Sequence, residues 1–319
     1  TEFFVLTAAL AMMVGLVSIL AGLFKLGRIA QFFSESVLVG FVSGLAFVIA
    51  IKQLPKVFGL EPAYGNFWER LWDFFRHLPE TNWPTLAVGA TSILLLIILE
   101  RRFHRIPAAL VAMIYGILMV QLFNLHAMGV HVVGDIPAGL AFPQLPAVAF
   151  ADLLRLLPGA IGITLVAFAE AIGPARSFAG AHGYQINANQ ELIALGSSNL
   201  GAGLFRGFPI GASLSKSAAN DAAGAHSQMS GLIAAGATAL VALFFTPLFR
   251  NLPEAALAAI VIVAVAGMVK VKTFRWLYRV NRMDFGLALV AFLAVLTAEE
   301  VLIGLIVAVV ISLLALVGR

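Results

Sequence analysis

The sequence contains no cysteine and few charged residues. Because none of its 319 residues is cysteine, disulfides, iron–sulfur clusters and thiolate metal sites are excluded. Charged residues make up 11% of the chain and hydrophobic residues 61%, and the mean hydropathy is +1.00. Soluble domains carry about 25% charged residues, so the composition predicts a polytopic helical membrane protein.

Two further kinds of site have no support in the sequence. The net charge is only +4, and the basic residues lie between apolar runs rather than in one stripe, so no nucleic-acid partner is predicted. The histidines are scattered without the spacing of metal ligands. We therefore expect neither a metal nor an organic cofactor.

Long apolar runs give the organisation of the chain. Ten of them are long enough for membrane-crossing helices of about 17–25 residues. They cover residues 4–24, 37–54, 83–100, 106–124, 157–179, 190–206, 228–249, 253–269, 284–299 and 300–317. Polar connections at 55–82 and 125–155 interrupt this series. The second contains His131-Val132-Val133 between glycines, a pattern that predicts a short strand.

The basic residues are unevenly divided between the two sides of the membrane. If each run crosses once and residues 208–224 form an eleventh, shorter crossing element, the loop after 83–100 and the loop after 253–269 lie on the same side. The loops and chain end on that side contain most of the basic residues, among them Arg101, Lys270 and Arg275. The positive-inside rule makes that side cytoplasmic, so we predict a multi-pass protein whose surroundings are the lipid bilayer.

A short polar stretch, residues 208–224, lies between two of the apolar runs. It begins with Phe208-Pro209 and contains three serines and a lysine. Irregular backbone inside a membrane must line water or a ligand, because hydrocarbon cannot satisfy its hydrogen bonds. A broken helix whose free N–H groups face a small anion fits this requirement; the alternative is that the small residues only permit close helix packing. The predicted anion-binding residues are Ser213, Leu214, Ser215 and Lys216.

Glu170 is the only acid well inside a predicted span. A carboxylate at such a position is costly unless it is paired, hydrated or protonated. We predict that Glu170 takes up a coupling proton or cation. The alternative is a structural ion pair with Lys216 or Arg176.

A weak internal repeat is also present. Residues 23–44 and 248–261 each contain the end of a span, a basic turn and a helix start with an acid and small residues. The positive-inside assignment gives the two copies opposite orientations, as an inverted repeat requires. Three elements (157–179, 190–206 and 208–224) precede the second copy but not the first. We therefore expect three N-terminal elements of the transporter to be missing from this sequence.

Three motifs resemble those of the sulfate permease (SulP) family. Residues 34–41 resemble SEPVLxGF, with Ser36 in place of proline. Residues 177–192 resemble SFAxxHGYxIDxNQEL, and residues 208–220 resemble YPxxGSFSRTAVN with Lys216 in the arginine position. The similarity extends through almost the whole chain.

The resemblance implies an all-α fold of two inverted seven-segment repeats, only partly contained in this chain. It implies a core domain of 1–24 and 157–249, a gate domain of 37–124 and 253–319, and a connecting extracellular segment of 125–156. Two facing half-helices would form the anion site; 208–224 is one, and the other belongs to the missing N-terminal part. Glu170 matches the family's coupling glutamate. Family members move the core against the gate like an elevator, usually dimerise, and usually end in a cytoplasmic STAS domain, which we do not expect within this sequence.

The predicted function is secondary active transport of sulfate or a dicarboxylate, coupled to H⁺, in a bacterial inner membrane. Two alternatives are a Na⁺-coupled bicarbonate transporter of the same family and a nucleobase permease of related fold. An enzyme is disfavoured, because Gly40-Phe41-Val42-Ser43-Gly44 lacks the glycine spacing of a serine-nucleophile motif and no histidine partner is placed. A non-transporting scaffold is a further alternative for a truncated chain.

Overall fold

The computed structural model describes residues 2–27, 35–103, 106–213, 216–217, 220–221 and 223–298. Within these ranges the chain is helical. The α-helices are α1 (Glu2–Leu23), α2 (Glu35–Phe58), α3 (Phe67–His77), α4 (Trp83–Arg102), α5 (Ala108–Phe123), α6 (Phe150–His182), α7 (Ala188–Leu204), α8 (Met229–Leu240), α9 (Glu254–Ala266), α10 (Val271–Val280) and α11 (Arg282–Thr297).

The prediction of a polytopic helical membrane protein is confirmed. Six helical stretches of the described residues are long and apolar enough to cross a membrane: Phe3–Leu23, Ser36–Phe58, Trp83–Arg102, Phe150–Gly180, Met229–Phe249 and Glu254–Val280. The predicted spans 106–124, 190–206 and 284–299 correspond to the shorter helices α5, α7 and α11, of 16, 17 and 16 residues. The predicted span 300–317 lies outside the described residues.

The chain divides into two compact units. Unit 1 consists of Thr1–Phe33 and Gly139–Leu243, and unit 2 of Ser34–Ala138 and Phe244–Arg319. These unit boundaries do not coincide with the ranges predicted for the core and gate domains. Residues 125–156, predicted as a connection, are divided between the units, and residues 244–249 lie in unit 2. The assignment of transport roles as core and gate stays a prediction.

Backbone hydrogen bonds explain where the connection is divided. On the unit 2 side, the N–H of Val133 donates to the carbonyl of Leu252 at 3.0 Å. On the unit 1 side, the N–H of Gly139 donates to Ala242 at 3.1 Å and that of Gln144 to Leu204 at 2.8 Å. These contacts join residues about 60–120 positions apart, so a local pattern could not have indicated them.

The strand predicted at His131–Val133 is reduced to a single antiparallel bridge between Val132 and Pro253. Two local features explain why no longer ladder forms. Proline has no N–H to donate, and Gly134 has a φ of +77°, a left-handed conformation that ends an extended run.

In unit 1, α1 and α7 pack at backbone contact through glycines. A Cβ on Gly15 would lie 2.8 Å from the carbonyl oxygen of Gly196, and a Cβ on Gly196 would lie 2.6 Å from that of Gly15. On the α6 side, the buried hydroxyl of Ser18 donates to the carbonyl of Val14 at 2.7 Å and to Oγ1 of Thr164 at 3.3 Å. Small residues and an interhelical hydroxyl contact therefore hold α1, α6 and α7 together, as in many membrane helix pairs.

In unit 2, the Gly40–Gly44 motif is a helix-packing site. A Cβ on Gly40 would lie 2.0 Å from the carbonyl oxygen of Ala288 in α11, and one on Gly44 would lie 2.9 Å from that of Phe292. Ser43, between them, is fully buried. The structure thus gives this motif a packing role, in agreement with the weak support for a nucleophile.

Candidate functional site

The polar stretch begins as an extended segment of unit 1. Residues 207–213 follow α7 and are not helical. Helical hydrogen bonding resumes at Ser213, whose carbonyl accepts from the N–H of Ser217 at 2.9 Å. Ser213 therefore lies where an irregular chain enters a helical turn, the position expected for the start of a broken helix.

The other predicted binding residues follow directly. Leu214 and Ser215 lie outside the described residues. Lys216 is helical and exposed. In general, the start of a helix offers backbone N–H groups and about half a positive charge from the helix dipole.

Asn199 fixes the position of the extended segment. This asparagine of α7 has no solvent exposure. Its Oδ1 accepts from the N–H of Ile210 at 2.9 Å, and its Nδ2 donates to the carbonyl of Ile210 at 2.9 Å. A second donation from Nδ2 reaches Leu195 within α7 at 2.9 Å. The side chain thus satisfies both backbone groups of Ile210 as a neighbouring strand would.

The same segment packs against α6 close to Glu170. A Cβ on Gly211 would lie 3.5 Å from the Cβ of Ala167, an ordinary contact. Ala167 and Glu170 are three residues apart on one helix and therefore share a face. Glu170 itself is half-buried. The structure therefore brings the predicted anion segment to the face of α6 that carries the predicted coupling acid.

A contact that the sequence did not indicate lies at the far end of the polar stretch. Nε2 of His182, the last residue of α6, lies 2.8 Å from Oδ1 of Asp221. Both side chains are partly exposed. A turn follows Asp221, because the N–H of Gly224 donates to its carbonyl at 2.8 Å. The pair ties the end of the stretch to α6.

The turn between α6 and α7 is held by asparagines. Asn187 is the N-cap of α7, and its side chain accepts from the N–H of Asn189 at 3.0 Å. Oδ1 of Asn189 accepts from the N–H of Gly27 at 2.9 Å and so joins the end of α1 to the start of α7. A cavity of about 440 Å³ opens here, lined by Gly27, Arg176 and residues 185–190.

We expect the clamp by Asn199 to be needed for anion binding. Replacement by leucine removes both hydrogen bonds to Ile210, and each buried polar group left unpaired costs about 1–3 kcal/mol. The Asn199→Leu protein should therefore unfold at a lower temperature and bind its anion at least about tenfold more weakly, which corresponds to about 1.4 kcal/mol.

The control for this variant is Ser198→Ala on the same helix. The Ser198 hydroxyl is exposed and donates only to Ala194 of its own helix, at 3.0 Å. Thermal unfolding and calorimetric titration with the anion would measure both quantities. If Asn199→Leu and Ser198→Ala both bind the anion with unchanged affinity, the hydrogen bonds of Asn199 to Ile210 are not needed for anion binding.

These features define a class of protein. Apolar helices flank a non-helical segment that Asn199 holds by hydrogen bonds. The segment ends at a helical turn and packs on the helix that carries Glu170. Helical membrane transporters with broken helices have this arrangement. The sequence profile described as the Sulfate permease family matches residues 2–291. The chain belongs to the sulfate permease family.

Curated relatives agree with this assignment. A probable sulfate transporter of Mycobacterium tuberculosis is 36% identical over 318 residues, which cover 100% of this chain and 57% of the relative. Solute carrier family 26 member 6 of Homo sapiens is 33% identical over 330 residues, which cover 98% of this chain and 43% of the relative. This chain therefore spans about half the length of the curated relatives it matches. The family is one of transporters rather than enzymes.

Solved structures have the same fold. The murine solute carrier 26 family member A9 anion transporter, in the inward-facing state, superposes with a TM-score of 0.91 at 25% identity, covering 99% of this chain and 53% of the other. The transmembrane domain of the cyanobacterial bicarbonate transporter BicA superposes with a TM-score of 0.80 at 22% identity, covering 97% and 76%. The predicted inverted-repeat transporter fold is confirmed.

Proposed function

We propose that this chain is part of a secondary active transporter of small anions, with the anion bound at residues 213–216 and a coupling proton taken up by Glu170. The observation that carries the proposal is the Asn199-clamped segment. It ends at the helical turn after Ser213 and packs, through Gly211, on the face of α6 that carries Glu170.

The chemistry of this segment favours an anion. A helix start offers backbone N–H groups and a partial positive charge. Ser213 and Ser215 add hydroxyl donors, and Lys216 adds a full positive charge. The relative from Mycobacterium tuberculosis is named a probable sulfate transporter, which supports sulfate as the first substrate to test, with dicarboxylates next.

The same features weigh against a nucleobase. A nucleobase site would need acids placed to accept hydrogen bonds from the N–H groups of a neutral heterocycle. The acid of the polar stretch, Asp221, is in contact with His182 instead. Bicarbonate with sodium coupling stays an alternative, because BicA is named a bicarbonate transporter and a shared fold does not choose between small anions.

Further parts of the proposal come from the family resemblance. We place the protein in a bacterial inner membrane as a homodimer, with unit 1 moving as the core against unit 2 as the gate. A small anion and the lipid bilayer are its proposed partners.

Uptake by the full-length protein in proteoliposomes tests the function. Labelled sulfate, a dicarboxylate, bicarbonate and chloride would be compared with and without an inward proton gradient, and with sodium replaced by a large organic cation. Sulfate or dicarboxylate uptake that needs the proton gradient supports the proposal. Uptake that instead needs sodium, with bicarbonate preferred, would replace it by the alternative, and flux without any coupling ion would contradict active transport.

Ser215 provides a direct test of the binding segment. A phenylalanine at position 215 would fill the space that the anion is proposed to occupy. We expect Ser215→Phe to weaken anion binding more than about a hundredfold, or about 2.8 kcal/mol. The matched control is Ser227→Phe, at an exposed turn beyond the stretch. Calorimetric titration measures both, and normal affinity in Ser215→Phe would exclude this segment as the site.

A further inference from the structure

The helix α10 and its flanks carry an unusual concentration of positive charge in unit 2. Five basic residues lie between 270 and 284, together with a single acid, Asp284. All five basic side chains are exposed. They are Lys270, Lys272, Arg275, Arg279 and Arg282.

Aromatic packing fixes which side of α10 faces outward. Phe274 contacts Phe285 and Phe292 of α11, with ring centroids 6.4 and 6.2 Å apart. Tyr278 contacts Phe285 at 5.2 Å, and Leu277 is buried. The basic side chains are therefore kept away from the packed side of the helix.

The outward face also carries large apolar side chains. Val271 and Trp276 are each 58% exposed, and Val280 is 62% exposed. Exposed apolar groups between basic ones are typical of helices that lie at a membrane surface, where tryptophan occupies the headgroup level.

Within the described residues, none of the five basic side chains forms an ion pair or a side-chain hydrogen bond. The nearby acid, Asp284, accepts a hydrogen bond from Nδ2 of Asn281 at 2.8 Å. Elsewhere in unit 2, Lys56 pairs with Glu254 at 3.1 Å and Arg250 with Asp135 at 3.1 Å. Within the described part of unit 2, therefore, no ion pair neutralises the positive charge of α10.

The helix α3 is an internal comparison for α10. Both helices are strongly amphipathic. Helix α3 follows α2 and helix α10 follows α9, and α2 and α9 begin in the two copies of the predicted repeat. The inverted repeat places α3 and α10 on opposite sides of the membrane. Yet α3 carries two acids, Glu69 and Asp73, against two arginines. Of these two helices, only α10, on the predicted cytoplasmic side, therefore carries a net positive charge.

We propose that the exposed face of α10 binds the phosphate headgroups of anionic lipids in the cytoplasmic leaflet. Each lysine or arginine near an anionic surface strengthens binding by up to about fivefold. Arginine can hold a phosphate through two parallel N–H groups, and α10 presents Arg275 and Arg279 one turn apart. The proposal depends on the predicted orientation and not on which anion is transported.

The test measures lipid selectivity directly. The full-length protein would be placed in phosphatidylcholine vesicles containing a trace of spin-labelled phosphatidylglycerol or spin-labelled phosphatidylcholine, and the motionally restricted fraction of each label would be compared. The variants are Arg275→Gln and the triple change Lys272→Gln, Arg275→Gln and Arg279→Gln. The control is Arg76→Gln, an exposed arginine of α3. Thermal unfolding would confirm that all four proteins are folded.

We expect the parent protein to prefer the anionic label at low salt and to lose most of that preference at high salt, where charges are screened. Arg275→Gln should lower the relative association constant by up to about fivefold, the triple variant should lower it further, and Arg76→Gln should leave it unchanged. Equal association of both labels with the parent protein would overturn the proposal and favour an acidic protein surface as the occupant. A preference that survives the triple change would overturn it as well.

Discussion

Replacing Glu170 by glutamine is expected to abolish uptake driven by a proton gradient while sparing anion binding. Glutamine keeps the size and polarity of the side chain but cannot exchange a proton. A charge at the centre of a span costs about 2.5–3.5 kcal/mol on insertion scales. Movement of the site across the membrane is therefore favoured when the Glu170 carboxyl is protonated and uncharged. Substrate and proton would then have to move together.

The measurement is labelled-anion uptake across a range of external pH, with calorimetric binding as the second readout. In the parent protein, uptake should fall as external pH rises, because the inward proton gradient that drives it becomes smaller. The glutamine variant should bind the anion and exchange it slowly, without this dependence. The control is Glu100→Gln, an exposed acid at the end of α4 in the other unit. A glutamine variant with unchanged pH dependence would make Glu170 a structural residue.

Most predictions that rest on local patterns agree with the structure, with the strand predicted at His131–Val133 as the exception. Helix positions follow from runs of apolar residues, because a chain segment in lipid must satisfy its backbone N–H and C=O groups by hydrogen bonds within its own helix. The cap at Asn187 follows likewise from a side chain acting on its own neighbours. The break after Pro209 was also visible, since proline, glycine and serine interrupt an apolar run there.

Pairings between distant residues could not be predicted in this way. Nothing near Asn199 indicates that its amide would bind Ile210, eleven residues later, and nothing near His182 indicates contact with Asp221. The division of the chain into two compact units could not be located from local patterns either. Its position depends on hydrogen bonds such as Val133 to Leu252, which only the folded chain brings together.

The glycine contact between α2 and α11 is expected to have the largest effect on stability. A Cβ on Gly40 would lie 2.0 Å from the carbonyl oxygen and 2.8 Å from the carbonyl carbon of Ala288. These are backbone atoms in the middle of a helix, so they cannot rotate away as a side chain could. Gly40→Ala should therefore force the two helices apart, at a cost of about 1–3 kcal/mol or more, and lower the unfolding temperature of the purified protein.

The matched control lies on the partner helix. A Cβ on Gly286 of α11 meets nothing within 4 Å, and alanine is favoured over glycine inside a helix by about 1 kcal/mol. Gly286→Ala should therefore match the parent or exceed it in thermal stability, so opposite shifts are expected from the same chemical change on two contacting helices. Equal stability of Gly40→Ala and the parent would mean that α2 and α11 do not touch at this backbone position. If the contact holds, α2 and α11 move as one rigid pair, which is what the proposed gate needs if the core is to slide against it.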